Sequence, residues 1–285
     1  MPDNGNHPET RVVSSPKRAG ASWPILLLAA LFLVATFLAW YFTWFGRGLS
    51  DADLSKYLSD TKNPRHVQHA LLQIQQRMER GDPSAKNFYP QLEALSSNPE
   101  TEYRLTVAWV MGFDNQAKSF HEALVKLLRD EQPIVRRNAA LALVRFNDNS
   151  GHEELGSILA PFPVKAPATG AISSTLHVDS LVSRGTLLAR IQQPDGPMVE
   201  IRSPLPGKIS SIGKPNGSQV NQEEIVLTLN SDEDSVWEAL RGLALVGTNQ
   251  ELPAVKQFAN SNDVAQRVKE QATLTAKAIE NRIAK

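Results

Sequence analysis

The sequence predicts an α+β protein. An apolar N-terminal helix crosses a membrane, and a solenoid of helical pairs follows, interrupted by a small flattened β-barrel. Three observations carry this. Residues 24–45 hold no charged side chain. Apolar residues then recur at helical spacing to about residue 160, and again from residue 232. Between those stretches prolines, glycines and β-branched residues dominate, and the period falls toward two.

The chain has 285 residues, room for two or three small domains. Lysine plus arginine balances aspartate plus glutamate, 30 against 30. That balance exerts no net pull toward nucleic acid, and no nucleic-acid partner is expected. The absence of cysteine excludes disulfides, thiolate zinc sites and a cysteine nucleophile.

Residues 1–22 are rich in Pro, Asn, Ser and Gly and read as a disordered tail. Residues 23–46 read as a transmembrane helix. Pro24 to Phe45, PILLLAALFLVATFLAWYFTWF, is long enough to cross a bilayer core of roughly 30 Å. Trp23 opens the run, and Trp40, Tyr41 and Trp44 close it, as aromatics do at membrane interfaces. Lys17 and Arg18, the nearest charges before it, favour an inside N-terminus, while Arg47, Lys56, Lys62 and Arg65 after it favour the inverted topology. The expectation is a single-pass protein of the inner (cytoplasmic) membrane with a periplasmic C-terminal body.

Residues 47–161 are helical by period. Val67, Ala70, Leu71, Ile74 and Met78 share one face, as do Tyr103, Val107, Val110 and Met111. Breakers separate the helices at Gly81-Asp82-Pro83, Asn98-Pro99, Gly112 to Asn115 and Glu131 to Pro133. Arg136, Ala140 and Leu143 repeat Arg104, Ala108 and Met111 at a shift of 32. The stretch Asp130 to Leu143, DEQPIVRRNAALAL, resembles the HEAT repeat in its short, lyase-like form, whose first helix opens with Asp, Pro, Val-Arg and paired alanines. Proline suits the first helical turn, where its missing N–H has no partner to lose. Residues 232–285 resume the pattern in SVWEALRGLALVG, ELPAVKQFA and DVAQRVKEQATLTAKAI.

Residues 162–231 read as a β domain inserted between repeats, itself a duplication. Pro167, Gly170 and Ile172 map to Pro204, Gly207 and Ile209 at a shift of 37. Val182, Leu188 and Ile191 map to Val220, Val226 and Leu229 at a shift of 38. The paired Pro-x-x-Gly-x-Ile turns resemble the biotinyl/lipoyl domain and its unmodified relative in the membrane fusion proteins of efflux and secretion systems. In carrier members the modified lysine stands eight residues before the second proline, and here Gly196 holds that position. Lys165 and Lys208 sit beside other turns. The resemblance therefore implies a domain without a covalent cofactor. Asp195-Gly196 between strands is a tight-turn signal, and a positive φ at Gly196 is expected.

No catalytic constellation emerges. His66 and His69 lie three apart on one helix without acidic partners in sequence, so a solvated face is expected rather than a metal site. Asp232-Glu233-Asp234 and Asp51 with Asp53 precede helices and read as caps. Arg136-Arg137 could seat an anion, but the arginine at this place reads as a repeat residue. HEAT-like relatives include lyases of bilin attachment, but the helical signature alone carries no chemistry. The expectation is a membrane-anchored, non-enzymatic adaptor or scaffold of an efflux or secretion complex, with protein partners, no metal and no small-molecule substrate. The alternative is an accessory subunit of a membrane-bound enzyme with a degenerate, unmodified carrier domain.

Overall fold

The structure is a computed structural model that describes residues 23–44 and 48–284, the side chains of 40–44 excepted. The chain divides into two compact units, Met1–Gly48 and Leu49–Lys285. In the first, helix α1 (Trp23–Trp44) forms over a run without an internal break. The expected tail, Lys17 and Arg18 fall outside the described residues. The expected membrane span is corrected: among the described residues, no helix is long and apolar enough to cross a membrane. The single-pass inner-membrane placement and the periplasmic body lose their support with it.

The second unit opens with α2 (Asp51–Ser59) and α3 (Pro64–Glu79). A 3₁₀ turn (Pro83–Phe88) runs into α4 (Tyr89–Leu95), followed by α5 (Thr101–Met111) and α6 (Lys118–Leu127). Next come α7 (Pro133–Arg145) and α8 (His152–Ser157). After eight strands the chain returns to α9 (Glu233–Val246), α10 (Leu252–Asn260) and α11 (Gln266–Ile283). Proline stands in the first turn of α3, α4, α7 and α10, where the free N–H groups make it harmless. Gly81, at φ +69°, ends the first long helix in the left-handed region that glycine takes freely.

Helices α3, α5, α7, α9 and α11 stack each on the next, and α4, α6, α8 and α10 alternate with them as the second helix of each pair. Two hydrophobic cores run along this stack. One holds Leu71, Ile74, Tyr103, Val107, Met111, Phe120 and Leu143. The other holds Ala140, Leu155, Leu240, Leu243, Val255, Ala272 and Ile279. Helix α7 feeds both, through Leu143 on one side and Ala140 on the other. Gly151 allows the close packing of α8: a Cβ there would come within 2.8 Å of the Ala140 Cα.

Repeated polar rungs tie successive pairs. The Tyr89 hydroxyl, at the start of α4, donates to Asp114 in the loop after α5 at 2.5 Å. His121, at the start of α6, bonds Asp148 in the loop after α7. His152, at the start of α8, bonds Glu251 in the turn after α9 at 2.7 Å. The sequence separations are 25, 27 and 99. The third rung repeats the first two across the whole β insert, so the solenoid closes behind the insert with its spacing intact.

The strands are β1 (Phe162–Lys165), β2 (Gly170–Ser173), β3 (Leu181–Val182), β4 (Leu187–Gln192), β5 (Met198–Arg202), β6 (Gly207–Ile212), β7 (Gln219–Val220) and β8 (Ile225–Ser231). They form two four-stranded sheets, ordered β1-β8-β6-β3 and β5-β4-β2-β7. Every pairing is antiparallel. Exchanging the two halves of the segment turns one order into the other. The backbone repeats as closely. Positive φ occurs at Asp179 and Gly217, and at Gly185 and Glu223, each pair 38 residues apart. A Cβ on Gly170 would sit 2.3 Å from the Gln192 carbonyl oxygen, and one on Gly207 2.3 Å from that of Asn230. Alternate residues point inward and form a separate core that includes Ile172, Leu188, Ile191, Ile209, Val226 and Leu229.

A candidate interaction groove across the stacked first helices

The cores account for one face of each stacked helix. The opposite faces of α5, α7, α9 and α11 line an open groove of about 470 Å³. Helix α5 contributes Trp109, whose neighbours Ala108 and Val110 point into the core. Helix α7 contributes Asn138, Leu141 and Arg145; α9 contributes Glu238, Arg241 and Leu245; α11 contributes Gln271. Large apolar side chains stay open to solvent: Trp109 is 42 % exposed and Leu245 62 %. Leu72 on α3 and Leu274 on α11 are exposed too.

Several contacts fix this surface. Trp109 meets the Phe113 ring edge-on, 4.8 Å between centroids. The Arg145 guanidinium lies 4.4 Å above Phe113, and that of Arg241 lies 4.8 Å above Trp237. Such stacking holds a cation in place without a carboxylate. The Asn138 amide donates to the Leu105 carbonyl at 3.2 Å, tying α7 to α5.

The arginines singled out by the repeat behave differently. Arg104 reaches Asp130 through two nitrogens, at 2.6 and 3.0 Å, and donates to the carbonyls of Asn98 and Pro99. Arg136 bonds Glu154 at 2.9 Å and the carbonyls of Asp130 and Glu131. Each therefore clamps the turn before its own helix and an acid further along the stack. Burial raises the Asp130 pKa, but the Arg104 guanidinium, the Gln132 N–H and the Arg136 charge outweigh it and hold it below the usual carboxylate range. Arg137, weighed with Arg136 as an anion seat, is instead buried. It is 4 % exposed, its Nε has no hydrogen-bond partner, and burial lowers its pKa against the nearby charges of Glu154 and Asp232. An arginine beside an arginine gave no sign of which one would be buried.

The histidines do not assemble a metal site. His66 bonds Asp60 at 2.8 Å and stacks on Tyr57, while His69 bonds Gln73 at 2.7 Å. Both remain partly exposed on the α3 face, each with one side-chain partner. Among the described residues, no cluster of three potential ligands could hold a metal ion. Asp232 caps α9 by accepting from the Ser235 N–H, and Glu233 and Asp234 pair with Arg267. The α2 cap is Ser50, one residue before the expected acids, with Asp53 hydrogen-bonded to it.

Gly196 lies in the connection between β4 and β5. The expected positive φ is not found there: the positive-φ glycines of the described chain are Gly81, Gly185 and Gly217. A Cβ at Gly196 would meet the Gln193 Oε1 at 2.7 Å, the movable end of a side chain. Lys165 pairs with Glu223 at 3.2 Å and Lys208 with Asp179 at 2.8 Å.

Residues 90–167 match the family model for HEAT repeats. No curated protein matches the chain. Among solved structures, an engineered protein from a structural genomics consortium is similar at 16 % identity and a TM-score of 0.42, over 80 % of this chain and 78 % of that one. A designed armadillo repeat protein is similar at 15 % identity and a TM-score of 0.40, over 79 % and 80 %. The family match supports helical repeats over residues 90–167, nothing in these comparisons supports a lipoyl-like or membrane-fusion insert, and the expected fold class is corrected to that extent. Residues 90–167 are similar to HEAT repeats, and the helices on either side of them continue the same stack.

Proposed function

We propose that this protein is a non-enzymatic scaffold that works by protein–protein contact, with the groove over α5, α7, α9 and α11 as its docking surface. The observation that carries the reading is the groove itself. Trp109 and Leu245 stay exposed on a solenoid whose other large side chains are mostly packed. Exposed apolar side chains gathered in a concave surface mark interaction sites. A photo-cross-linking residue placed at position 245 should capture partner protein in cells, and the same residue at Lys126 should not. Equal capture at both positions removes the groove from the reading.

The segment 162–231 belongs to this proposal as a domain within the scaffold, flanked by solenoid segments 47–161 and 232–285. Its two four-stranded sheets, interchanged by swapping the two halves, mark it as a separate β module of the scaffold. Gly196 in place of a lysine supports an arm that carries no covalent cofactor. The two halves are contiguous, without the helical hairpin on which channel docking would rest, so no efflux or secretion role is included.

A further inference from the structure

The charges of the groove point to the kind of segment it binds. Four solenoid arginines pair with carboxylates, Arg77 with Asp51, Arg104 with Asp130, Arg136 with Glu154 and Arg267 with Glu233, while others such as Arg80 and Arg282 reach only backbone carbonyls. Arg145 and Arg241 have no such partner among the described residues and rest on aromatic rings instead. Stacking fixes the guanidinium plane and leaves its in-plane N–H fork free, the geometry that takes a carboxylate through two hydrogen bonds. Glu238 is the one acid lining the groove, so the cations outnumber it. It sits one turn before Arg241 on α9, toward the helix start, whereas Arg145 ends α7. Between the two arginines the walls are apolar, built by Leu141, Val144, Ala244 and Leu245 with Trp109 at one end.

We propose that the groove takes an acidic peptide segment that places a large apolar side chain against Trp109, Leu141 and Leu245 and flanking carboxylates on Arg145 and Arg241. This rests on the groove being the docking surface, and it adds the chemistry of the partner. A basic segment would bring its cations onto two guanidinium groups set against the single acid Glu238, a net repulsion that discriminates between partners.

The test uses the full chain and two fluorescein-labelled peptides read by anisotropy. One has a Leu-Phe centre flanked by glutamates, and the other has the same centre flanked by lysines. The glutamate peptide should bind at least about tenfold more tightly and lose affinity as salt rises. Arg145→Glu with Arg241→Glu should weaken it by about tenfold or more, and Arg129→Glu, exposed elsewhere, should not. Because both groove arginines are exposed, circular dichroism of the double variant should match the parent. Equal binding of the two peptides, no binding of either, or indifference to the double variant overturns the proposal. Loss of binding on Leu245→Asp, together with equal affinity for both peptides, would retain the groove and discard its acidic preference.

Discussion

Leu141 and Leu143 lie on either side of Ala142, and the structure assigns them different work. Leu143 is wholly buried in the first core, and Leu141 borders the groove half-buried. Leu143→Ala deletes three buried carbons. At ~0.8 kcal/mol each, transfer alone costs about 2.4 kcal/mol. The cavity left behind brings the total into the range of about 2–5 kcal/mol. For a chain of this size each kcal/mol lowers Tm by roughly 2–4 °C, so a loss near 3 kcal/mol gives about 6–12 °C. Leu141→Ala loses contacts that solvent already shares and should cost under about 1 kcal/mol. Thermal and urea unfolding followed by far-ultraviolet circular dichroism reads both variants. A Leu143→Ala protein that melts like the parent, or two equal losses, would refute the assignment of these α7 faces.

Gly170→Ala and Gly207→Ala should destabilise the β segment by similar amounts, about 1–3 kcal/mol each, because both place a methyl within 2.3 Å of a carbonyl oxygen; hydrogen exchange of β2 and β6 amides reads this, and one silent substitution breaks the claimed equivalence. Asp130 has a depressed folded pKa, so its contribution is present above the unfolded value near 3.9 and disappears as pH falls through the lower folded value. Urea midpoints should therefore fall below about pH 4 more steeply in the parent than in Asp130→Asn, and identical profiles count against the Arg104 clamp. Gly196→Lys should change Tm little, since φ is not positive and the Gln193 side chain can move aside; intact mass of the parent should show no lipoyl or biotinyl addition. Excision of residues 162–231, with a short Gly-Ser bridge, should leave a cooperatively folding solenoid, and an unfolded product would show that the insert completes the core.

The sequence made the helices legible because their burial is periodic. Val67, Ala70, Leu71 and Ile74 share a face in the sequence and are fully buried in the structure. The turns were legible through Gly81 and the helix-opening prolines. The groove was not. Trp109, Leu141 and Leu245 are apolar, and a sequence pattern assigns apolar residues to the core unless stacking shows which face has no neighbour. The arginine clamps were half legible: a shift of 32 aligned Arg104 with Arg136, but their acids stand 26 and 18 residues away and follow no shared spacing. The expected span was read from apolar composition alone, and among the described residues no helix is long and apolar enough to cross a membrane.

The position of the insert follows from the same geometry. Its first and last strands pair with each other, Phe162 opposite Leu229, so the chain leaves and re-enters the solenoid almost at one point. Joining ends that already lie together adds little closure entropy, and the insert's separate core takes no side chain from the stack. The His152–Glu251 rung can therefore form as if nothing intervened. The insert is nevertheless tied down: Arg184, in the β3–β4 turn, pairs with Glu102 near the start of α5. Seven residues along that helix, about two turns and on the same side, stands Trp109. The helix that anchors the insert is thus the helix that opens the groove. A partner seated on Trp109 lies within about 10 Å along the helix axis of the insert's anchor, and Glu102→Ala should loosen the insert without touching the groove's own side chains.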